Sequence, residues 1–270
     1  VSRPFAIDAH GVKHEAIVAW NGEDHSIRVT IPDADKLAYP VLLDPTFEVV
    51  LWHQAAALPA LAMRQMVFDT WRGEVLLPGY DANYFFNGAW RAQVAEVPTV
   101  GSNYAFAFDE DHGEAVLFGG NNAGPLQDTW TWNGSKWTFR TTPNRPSARA
   151  GAVATYDPIR KKVFLFGGAD STTAFNDTWS WNGTDWTKLS PATSPTPRSG
   201  ASMVFDTSKG VAILYGGKLD NSTLRADTWS FDGTTWTNLN ATLAGRFNPS
   251  MAYDPVHNNV VLYGGNNTSS

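Results

Sequence analysis

The acidic run Asp109-Glu-Asp-His-Gly-Glu114 has residue types that could do chemistry, because carboxylates beside an imidazole can hold a divalent cation or exchange protons. The same register recurs in Asp157-Pro-Ile-Arg-Lys161 and in Asp254-Pro-Val-His-Asn258. Both segments separate two short apolar runs, which is typical of a hairpin turn. We therefore interpret the acidic run as a turn with surface charge rather than as a metal site.

Three arginines and several polar loops form a second candidate. Arg149, Arg198 and Arg246 each precede an apolar run at corresponding positions. The polar loops after the glycine pairs do not repeat in sequence, and their candidate ligand-binding residues are Asn121, Asn122, Asp170, Ser171, Lys218, Asp220 and Asn221. Arginines and loops together could form a polar cup for a glycan or a protein ligand. The alternative, in which the arginines make ion pairs or backbone hydrogen bonds within the fold, stays open.

Other kinds of site have little support. The six histidines are scattered and the chain has no cysteine, so we expect no metal, no cofactor and no catalytic residue. The net charge of −6 makes nucleic acid an unlikely partner, since phosphate recognition needs clustered Lys and Arg. No window approaches 18 consecutive apolar residues, so we also expect no membrane insertion.

A sequence repeat must position the candidate arginines and loop residues. Asp128-Thr-Trp-Thr-Trp-Asn-Gly-Ser-Lys-Trp-Thr138 returns with small changes at residues 177–187 and 227–237, a period near 50. The Asn-Gly or Asp-Gly pair between alternating strands predicts an outer hairpin. Because Trp130, Trp179 and Trp229 recur in register, we expect them to fill the space between neighbouring sheets.

Each repeat also contains an apolar inner hairpin that ends in a glycine pair. One example runs from Gly151 to Gly168, and five such hairpins occur. Runs such as Val116-Leu-Phe suit strands that are buried on both faces. The glycines should permit a positive φ or a close approach of a neighbouring backbone. An all-β propeller of about five blades, with no helix, is predicted for residues 47–270.

Residues 1–46 lack the repeat and form a separate β-rich segment. Two alternating runs, 15–20 and 25–31, flank an Asn-Gly turn and predict a hairpin. The run Tyr39-Pro-Val-Leu-Leu-Asp-Pro-Thr46 predicts a short strand and resembles the end of a β-domain common in large secreted bacterial repeat proteins. We expect this segment to be the end of a small β-domain.

Glycine pairs after apolar strands, paired aromatics downstream, and Pro-x-x-Arg or Pro-Arg before each new strand resemble the kelch family, in the variant related to the central domain of galactose oxidase. The resemblance covers residues 60–265 and implies that the matching arginines lie near a central channel. Copper-radical oxidase chemistry, which in galactose oxidase needs a Cys joined to a Tyr, is rejected because the chain has no Cys.

The repeats depart from that family at both ends. The first has Pro78-Gly79 in place of Gly-Gly, and the fifth lacks its outer half. Kelch propellers usually close with six or seven blades. We expect that later repeats have been cut away rather than that Phe47–Trp52 completes the fifth blade, because exposed edges need protection.

Variable loops without a catalytic constellation favour a non-enzymatic recognition module. The abundance of Trp, Asn, Thr and Gly with little Lys favours a secreted or cell-surface bacterial protein. Two alternatives stay open. One is a carbohydrate-active enzyme that uses loop carboxylates and channel arginines, and the other is a structural spacer in a long repeat protein.

Overall fold

The computed structural model describes five short strands within residues 1–43, and residues 65–267 except 80, 88, 95, 221, 222 and 242. Contacts divide the chain into two units, Val1–Gln54 and Ala55–Ser270. The predicted boundary after residue 46 and the strand Phe47–Trp52 lie outside the described residues, so both stay predictions. The described part contains no helix with the length and apolar character needed to cross a membrane.

The first unit contains two small antiparallel sheets. Its strands are β1 (Phe5–Ile7), β2 (Lys13–Glu15), β3 (Ile17–Asn21), β4 (Ser26–Thr30) and β5 (Leu42–Leu43). Strands β2, β1 and β5 form one sheet in that order, and β3 pairs with β4. The pairing of Trp20 with Ile27 confirms the predicted hairpin around the Asn-Gly turn.

Within its described residues the second unit contains four four-stranded antiparallel sheets and a fifth sheet of two strands, each in chain order. This arrangement confirms the predicted all-β propeller with an incomplete fifth blade. The blades are β6 (Val67–Asp69), β7 (Glu74–Pro78), β8 (Asn83–Phe86) and β9 (Trp90–Gln93); β10 (Ala105–Asp109), β11 (Glu114–Phe118), β12 (Thr129–Trp132) and β13 (Trp137–Arg140); β14 (Val153–Asp157), β15 (Lys162–Phe166), β16 (Thr178–Trp181) and β17 (Trp186–Leu189); β18 (Ser199–Asp206), β19 (Val211–Lys218), β20 (Thr228–Phe231) and β21 (Trp236–Asn238); and β22 (Ser250–Asp254) with β23 (Asn259–Tyr263).

The core lies between neighbouring blades. In the second to fourth blades the strands of the inner hairpins are largely buried on both faces, as in β10, where all five residues are buried. First strands of successive blades pack against each other, so the blades are arranged around a common centre. Burial of these apolar runs, at roughly 25 cal/mol per Å² of apolar surface, supplies the main driving force for folding.

The tryptophans that hold the blades together are partly different from those predicted. Trp130, Trp179 and Trp229 are only half-buried, whereas the fully buried indoles are Trp132, Trp181, Trp186 and Trp236. Trp186, for example, packs on Phe118 of the preceding blade at a ring-centroid distance of 5.4 Å. Its Nε1 donates to Thr129 Oγ1 of that blade at 3.0 Å. The tryptophan that opens the fourth strand therefore joins two blades.

Glycine pairs also join neighbouring blades, as predicted. Gly167 and Gly168 have φ values of 69° and 92°. Gly168 N donates to the carbonyl oxygen of Arg198 in the next blade at 2.9 Å. A Cβ at Gly167 would lie 2.7 Å from that same oxygen, so a side chain would separate the two blades.

Candidate functional site

Three compact loops project from the ends of the second strands at one end of the propeller. They contain residues 121–125, residues 169–174 and, within the described part of the third loop, residues 218–220 with 223 and 224, and we call this end the loop face. Each loop is closed by an isolated β-bridge: Asn121 with Pro125, Ala169 with Ala174, and Lys218 with Leu224. Three side chains stabilise them by accepting backbone N–H bonds: Asn121 from Gly124, Asp170 from Thr172 and Thr173, and Asp220 from Thr223. The loops therefore have a defined shape before any ligand binds.

A chain of backbone hydrogen bonds runs around the centre beneath these loops. Gly151 N donates to Asn103 O at 2.7 Å, Gly200 N to Gly151 O at 2.8 Å, and Asn248 N to Gly200 O at 2.8 Å. All four residues have positive φ, between 52° and 67°. We call them the collar. They fix the spacing of four successive blades and hence the width of the opening.

The loops and the collar enclose an open, polar cavity of about 580 Å³. Its lining includes four of the predicted ligand-binding residues, namely Asn121, Asp170, Ser171 and Lys218. The Lys218 ammonium lies 4.2 Å from the centroid of the Phe247 ring, which also lines the cavity. A cation and an apolar ring are thus presented together at the opening.

Two other predicted loop residues have different positions. Asn122 and Asp220 do not line this cavity. The Asn122 side chain instead donates to the Thr99 carbonyl oxygen at 3.1 Å. Asn221 lies outside the described residues. The roles proposed for these three residues therefore stay predictions.

Arg149 and Arg198 are buried in the fold and do not face the cavity. The Arg149 side chain is 1% exposed, and its guanidinium binds both carboxylate oxygens of Asp177 at 2.5 and 3.1 Å. Arg198 is 0% exposed and binds both oxygens of Asp227 at 2.7 Å. Both arginines also donate to a glycine carbonyl, of Gly167 and Gly216 respectively. This geometry supports the alternative in which the arginines make ion pairs and backbone hydrogen bonds within the fold, because an aspartate already binds each guanidinium group.

Arg246 is half-buried and differs from the other two. Its Nη1 donates to the Gly264 carbonyl oxygen at 2.8 Å, which matches the glycine contacts of Arg149 and Arg198. Within the described residues, however, no carboxylate forms an ion pair with it. The aspartates that repeat before the third strand thus have a structural role in two blades, because Asp177 and Asp227 each bind an arginine and the indole N–H of the tryptophan two positions later.

The ion pairs make stability depend on pH. Burial alone raises the pKa of Asp177 and Asp227, but hydrogen bonds and charge from Arg149 and Arg198 outweigh it, so each pKa lies below its usual range. As the pH falls, the unfolded chain therefore binds protons at these two carboxylates before the folded chain does. The stabilisation by the ion pairs is complete above about pH 5 and is lost as the pH falls through the pKa of the folded state.

We therefore expect the thermal midpoint of unfolding to fall steadily from pH 5 to pH 2. The Asp227→Asn variant should show a smaller acid-induced decrease, because it has no carboxylate to protonate at this position. Asp109 has the opposite effect on acid sensitivity, because burial raises its pKa more than the charge and hydrogen bonds of His112 lower it. If the thermal midpoint falls equally with pH in the wild type and in Asp227→Asn, the ion pair between Arg198 and Asp227 does not contribute to acid sensitivity.

The acidic run forms a hairpin turn, as predicted. Asp109 is buried and accepts a hydrogen bond from the Asp111 backbone, and His112 Nδ1 lies 2.9 Å from Asp109 Oδ2. Four other turns place a basic residue 2.5 to 2.7 Å from the corresponding aspartate: Asp69 with Arg72, Asp157 with Arg160, Asp206 with Lys209, and Asp254 with His257. The described residues contain no cluster of three or more His, Asp or Glu that could bind a metal.

Sequence reasoning missed the collar and Phe247. A signal was nevertheless present, because residues 103, 151, 200 and 248 each lie six positions before the aspartate of an inner turn. Asn and Gly alone occupy these positions, and both tolerate the left-handed conformation. Nothing comparable marks Phe247, whose role arises from its contact with Lys218.

Comparison with known proteins agrees with the repeat and the blades. The family model described as the KLHDC2/KLHL20/DRC7 Kelch-repeats domain matches residues 87–265, which is more than half of the chain. The comparison with curated proteins found no match. Kelch domains mediate protein interactions. The matched model together with the four-stranded sheets shows that this chain belongs to the kelch-repeat β-propeller family.

Proposed function

We propose that the loop face binds a segment of a partner protein, and that the cavity above the collar receives it. The observation that carries the proposal is the convergence of three pre-shaped polar loops on one opening, lined by Asn121, Asp170, Ser171 and Lys218. Function on repeat scaffolds tends to reside in such loops. Membership of a family of interaction domains supports a protein as the ligand.

The cavity suits a short peptide segment. Its volume of about 580 Å³ lies within the range of roughly 300–1,000 Å³ that is usual for ligand sites. The loops are already closed by bridges and side-chain hydrogen bonds. Binding therefore orders few additional residues, which reduces the entropic cost of association.

The polar groups indicate what the segment should carry. Lys218 favours an acidic or carbonyl-rich group, and the adjacent Phe247 ring favours an apolar neighbour. Asp170 Oδ1 is used by the Thr172 and Thr173 amides, while Oδ2 accepts no hydrogen bond from the described residues. A donor on the ligand can reach Oδ2. We infer a polar segment that combines an acceptor, an apolar side chain and a donor.

A glycan ligand remains an alternative for the same polar cup. We also place the protein in a secreted or cell-surface bacterial setting, which rests on its richness in Trp, Asn, Thr and Gly. The enzyme alternative requires two facing carboxylates. Among the described lining residues Asp170 supplies one, so no observation favours this alternative over protein binding.

The Lys218→Glu variant tests the site directly. Linear peptides selected from a displayed library against the wild-type chain should bind Lys218→Glu at least tenfold more weakly. A charged hydrogen bond contributes about 1.5–3 kcal/mol, and every 1.4 kcal/mol is a tenfold change in affinity. Fluorescence anisotropy with labelled peptides measures the ratio.

Lys136→Glu is the matched control, because it makes the same charge change at an exposed outer turn. Selected peptides should bind this variant as they bind the wild type. Equal loss in both variants would indicate a general charge effect. If the chain binds sugars on a glycan array and the library yields no peptide, the ligand is a glycan rather than a protein.

A further inference from the structure

An open groove lies between the second and third blades. Its lining residues are 143–145, from the connector that leaves the second blade, and Trp179 with 186–188, from the outer hairpin of the third blade. The volume is about 430 Å³, within the range of roughly 300–1,000 Å³ that is usual for ligand sites. None of these residues lines the cavity at the loop face, so the groove is a separate candidate site.

One pair of side chains fastens the two walls of the groove together. Asn144 N donates to Asp185 Oδ1 at 3.3 Å, and Asn144 Nδ2 donates to Asp185 Oδ2 at 2.9 Å. Asp185 in turn donates its backbone N–H to Asn182 Oδ1 at 2.9 Å, within the turn of the outer hairpin. The connector is therefore fixed against the hairpin before a ligand binds, which lowers the entropic cost of binding.

The indole of Trp179 is half-buried, and its edge is held by a hydrogen bond. Its Nε1 donates to Asp177 Oδ2 at 2.8 Å, and Arg149 binds both oxygens of the same carboxylate. The orientation of the ring is therefore defined, and Arg149 balances the charge of Asp177. The Lys188 ammonium lies over this ring, 5.9 Å from its centroid.

The groove presents two cations and no carboxylate. Lys188 and Arg145 are both exposed, and neither forms an ion pair within the described part of the chain. None of the lining residues is acidic, although the chain has a net charge of −6. A local positive charge of this kind attracts an anionic ligand.

Neither cation belongs to the repeat. In the second blade the residue opposite Trp130 is Phe139, whose ring centroid lies 5.2 Å from that of the indole. In the fourth blade the residue opposite Trp229 is Asn238. A single basic residue, Arg145, occurs in the connectors that follow the fourth strands, which are residues 94–100, 141–148, 190–197 and 239–245. Side chains that depart from a repeat in one unit are candidates for function rather than for the scaffold.

We propose that this groove binds an acidic sugar, a pyranose ring that carries a carboxylate. The polarised C–H groups of such a ring pack against the electron-rich face of an indole, here that of Trp179. Its carboxylate lies between Arg145 and Lys188, where a guanidinium can bind both oxygens. Its hydroxyls reach Asn144 Oδ1 and Thr187 Oγ1, which have no hydrogen-bond partner within the described residues. The inference is independent of the proposed function, because it does not use the loop cavity.

An acidic peptide segment is the competing ligand, because its carboxylates can bind the same two cations. The position of Trp179 beside these cations favours the sugar. A flexible Asp or Glu side chain gains little from an aromatic face, whereas a pyranose ring packs its whole width against one. The dependence of binding on a ring in the ligand therefore separates the two classes.

An α-1,4-linked trimer of galacturonic acid is the probe, titrated into the chain in a calorimeter at low salt. It should bind in a saturable way. Its methyl ester keeps the three rings and removes the charges, so it should bind about tenfold more weakly, as expected for the loss of a charged contact. A capped peptide of three glutamates has the same charges and no ring, and it should also bind about tenfold more weakly.

Two variants remove the cations without disturbing the fold. Arg145→Ser and Lys188→Asn introduce the residues that occupy the same positions of the following repeat, Ser194 and Asn238. Each should weaken binding of the acid about fivefold, the upper range for a solvent-exposed charge contact. Binding of the methyl ester should stay unchanged in both variants, because the ester has no charge to lose.

Trp179→Ala tests the packing of the sugar on the indole. It should weaken binding of the acid and of the methyl ester alike, about tenfold each, and circular dichroism verifies that the variant folds. Trp229→Ala is the matched control, since it removes the corresponding indole of the fourth blade, where Asn238 takes the place of Lys188. This control should bind both sugars as the wild type does. Equal losses in the two tryptophan variants would contradict packing at this groove.

Three further results would overturn the proposal. The acid could fail to bind the wild-type chain, or it could bind Arg145→Ser and Lys188→Asn as tightly as the wild type. Alternatively, the glutamate peptide could bind as tightly as the sugar, which would make an acidic protein segment the ligand.

Discussion

Replacing Arg198 with alanine is expected to lower the free energy of unfolding by about 3–5 kcal/mol, the usual cost of removing one partner of a buried ion pair. The guanidinium is fully buried, binds both oxygens of Asp227, and donates to the Gly216 carbonyl oxygen at 3.1 Å. Its removal takes the arginine donor from Asp227 Oδ1 and from the carbonyl oxygens of Gly216 and Thr196, while Asp227 Oδ2 keeps the hydrogen bond from Trp229 Nε1. Chemical denaturation monitored by tryptophan fluorescence measures the change.

Lys161→Ala is the control for this prediction. Lys161 binds Asp111 at 2.7 Å, but the two side chains are 65% and 34% exposed. Exposed ion pairs contribute about 0–1 kcal/mol, so this variant should be nearly as stable as the wild type. Similar losses in the two variants would contradict a structural role specific to Arg198 and would reopen its assignment as a ligand-binding residue.

Trp186→Ala is expected to cost about 3–5 kcal/mol, because deletion of a buried indole removes apolar contacts and leaves a cavity. The ring is 1% exposed and lies between the second and third blades. Trp186→Phe should cost less, about 1–2 kcal/mol, since it retains an aromatic ring but loses the hydrogen bond to Thr129 Oγ1.

Trp179→Ala is the matched comparison in the same hairpin. Trp179 is half-buried, and its Nε1 donates to Asp177 Oδ2 at 2.8 Å. We expect a clearly smaller loss of stability than for Trp186→Ala. An equal or larger loss would restore the interpretation that the first tryptophan of each motif holds the blades together.

Much of the fold could be predicted from the sequence because each blade repeats the same local signals. Asn-Gly turns and alternating residues determine the outer hairpins, while apolar runs that end in glycine pairs determine the inner ones. The distinction between Trp179 and Trp186 was not predictable. Strand alternation assigns a face to each side chain, but the neighbouring blade decides which face is covered.

The site was predictable in part. The loops were recognised because they interrupt the repeat, and Asn121, Asp170, Ser171 and Lys218 do line one cavity. The arginines could not be assigned from sequence, because a guanidinium at a strand entrance suits a ligand carboxylate as well as an internal one. Only the fold shows that Asp177 and Asp227 lie within hydrogen-bonding distance of Arg149 and Arg198.

Amide hydrogen exchange with and without a selected peptide tests most directly the claim that the loop face is the binding site. We predict added protection in residues 121–125, 169–174 and 218–224 and at the collar residues Gly151 and Gly200. Exchange in the outer hairpins, residues 129–140 and 178–189, should be unchanged. Protection confined to the outer hairpins, with the three loops unaffected, would contradict binding at the loop face.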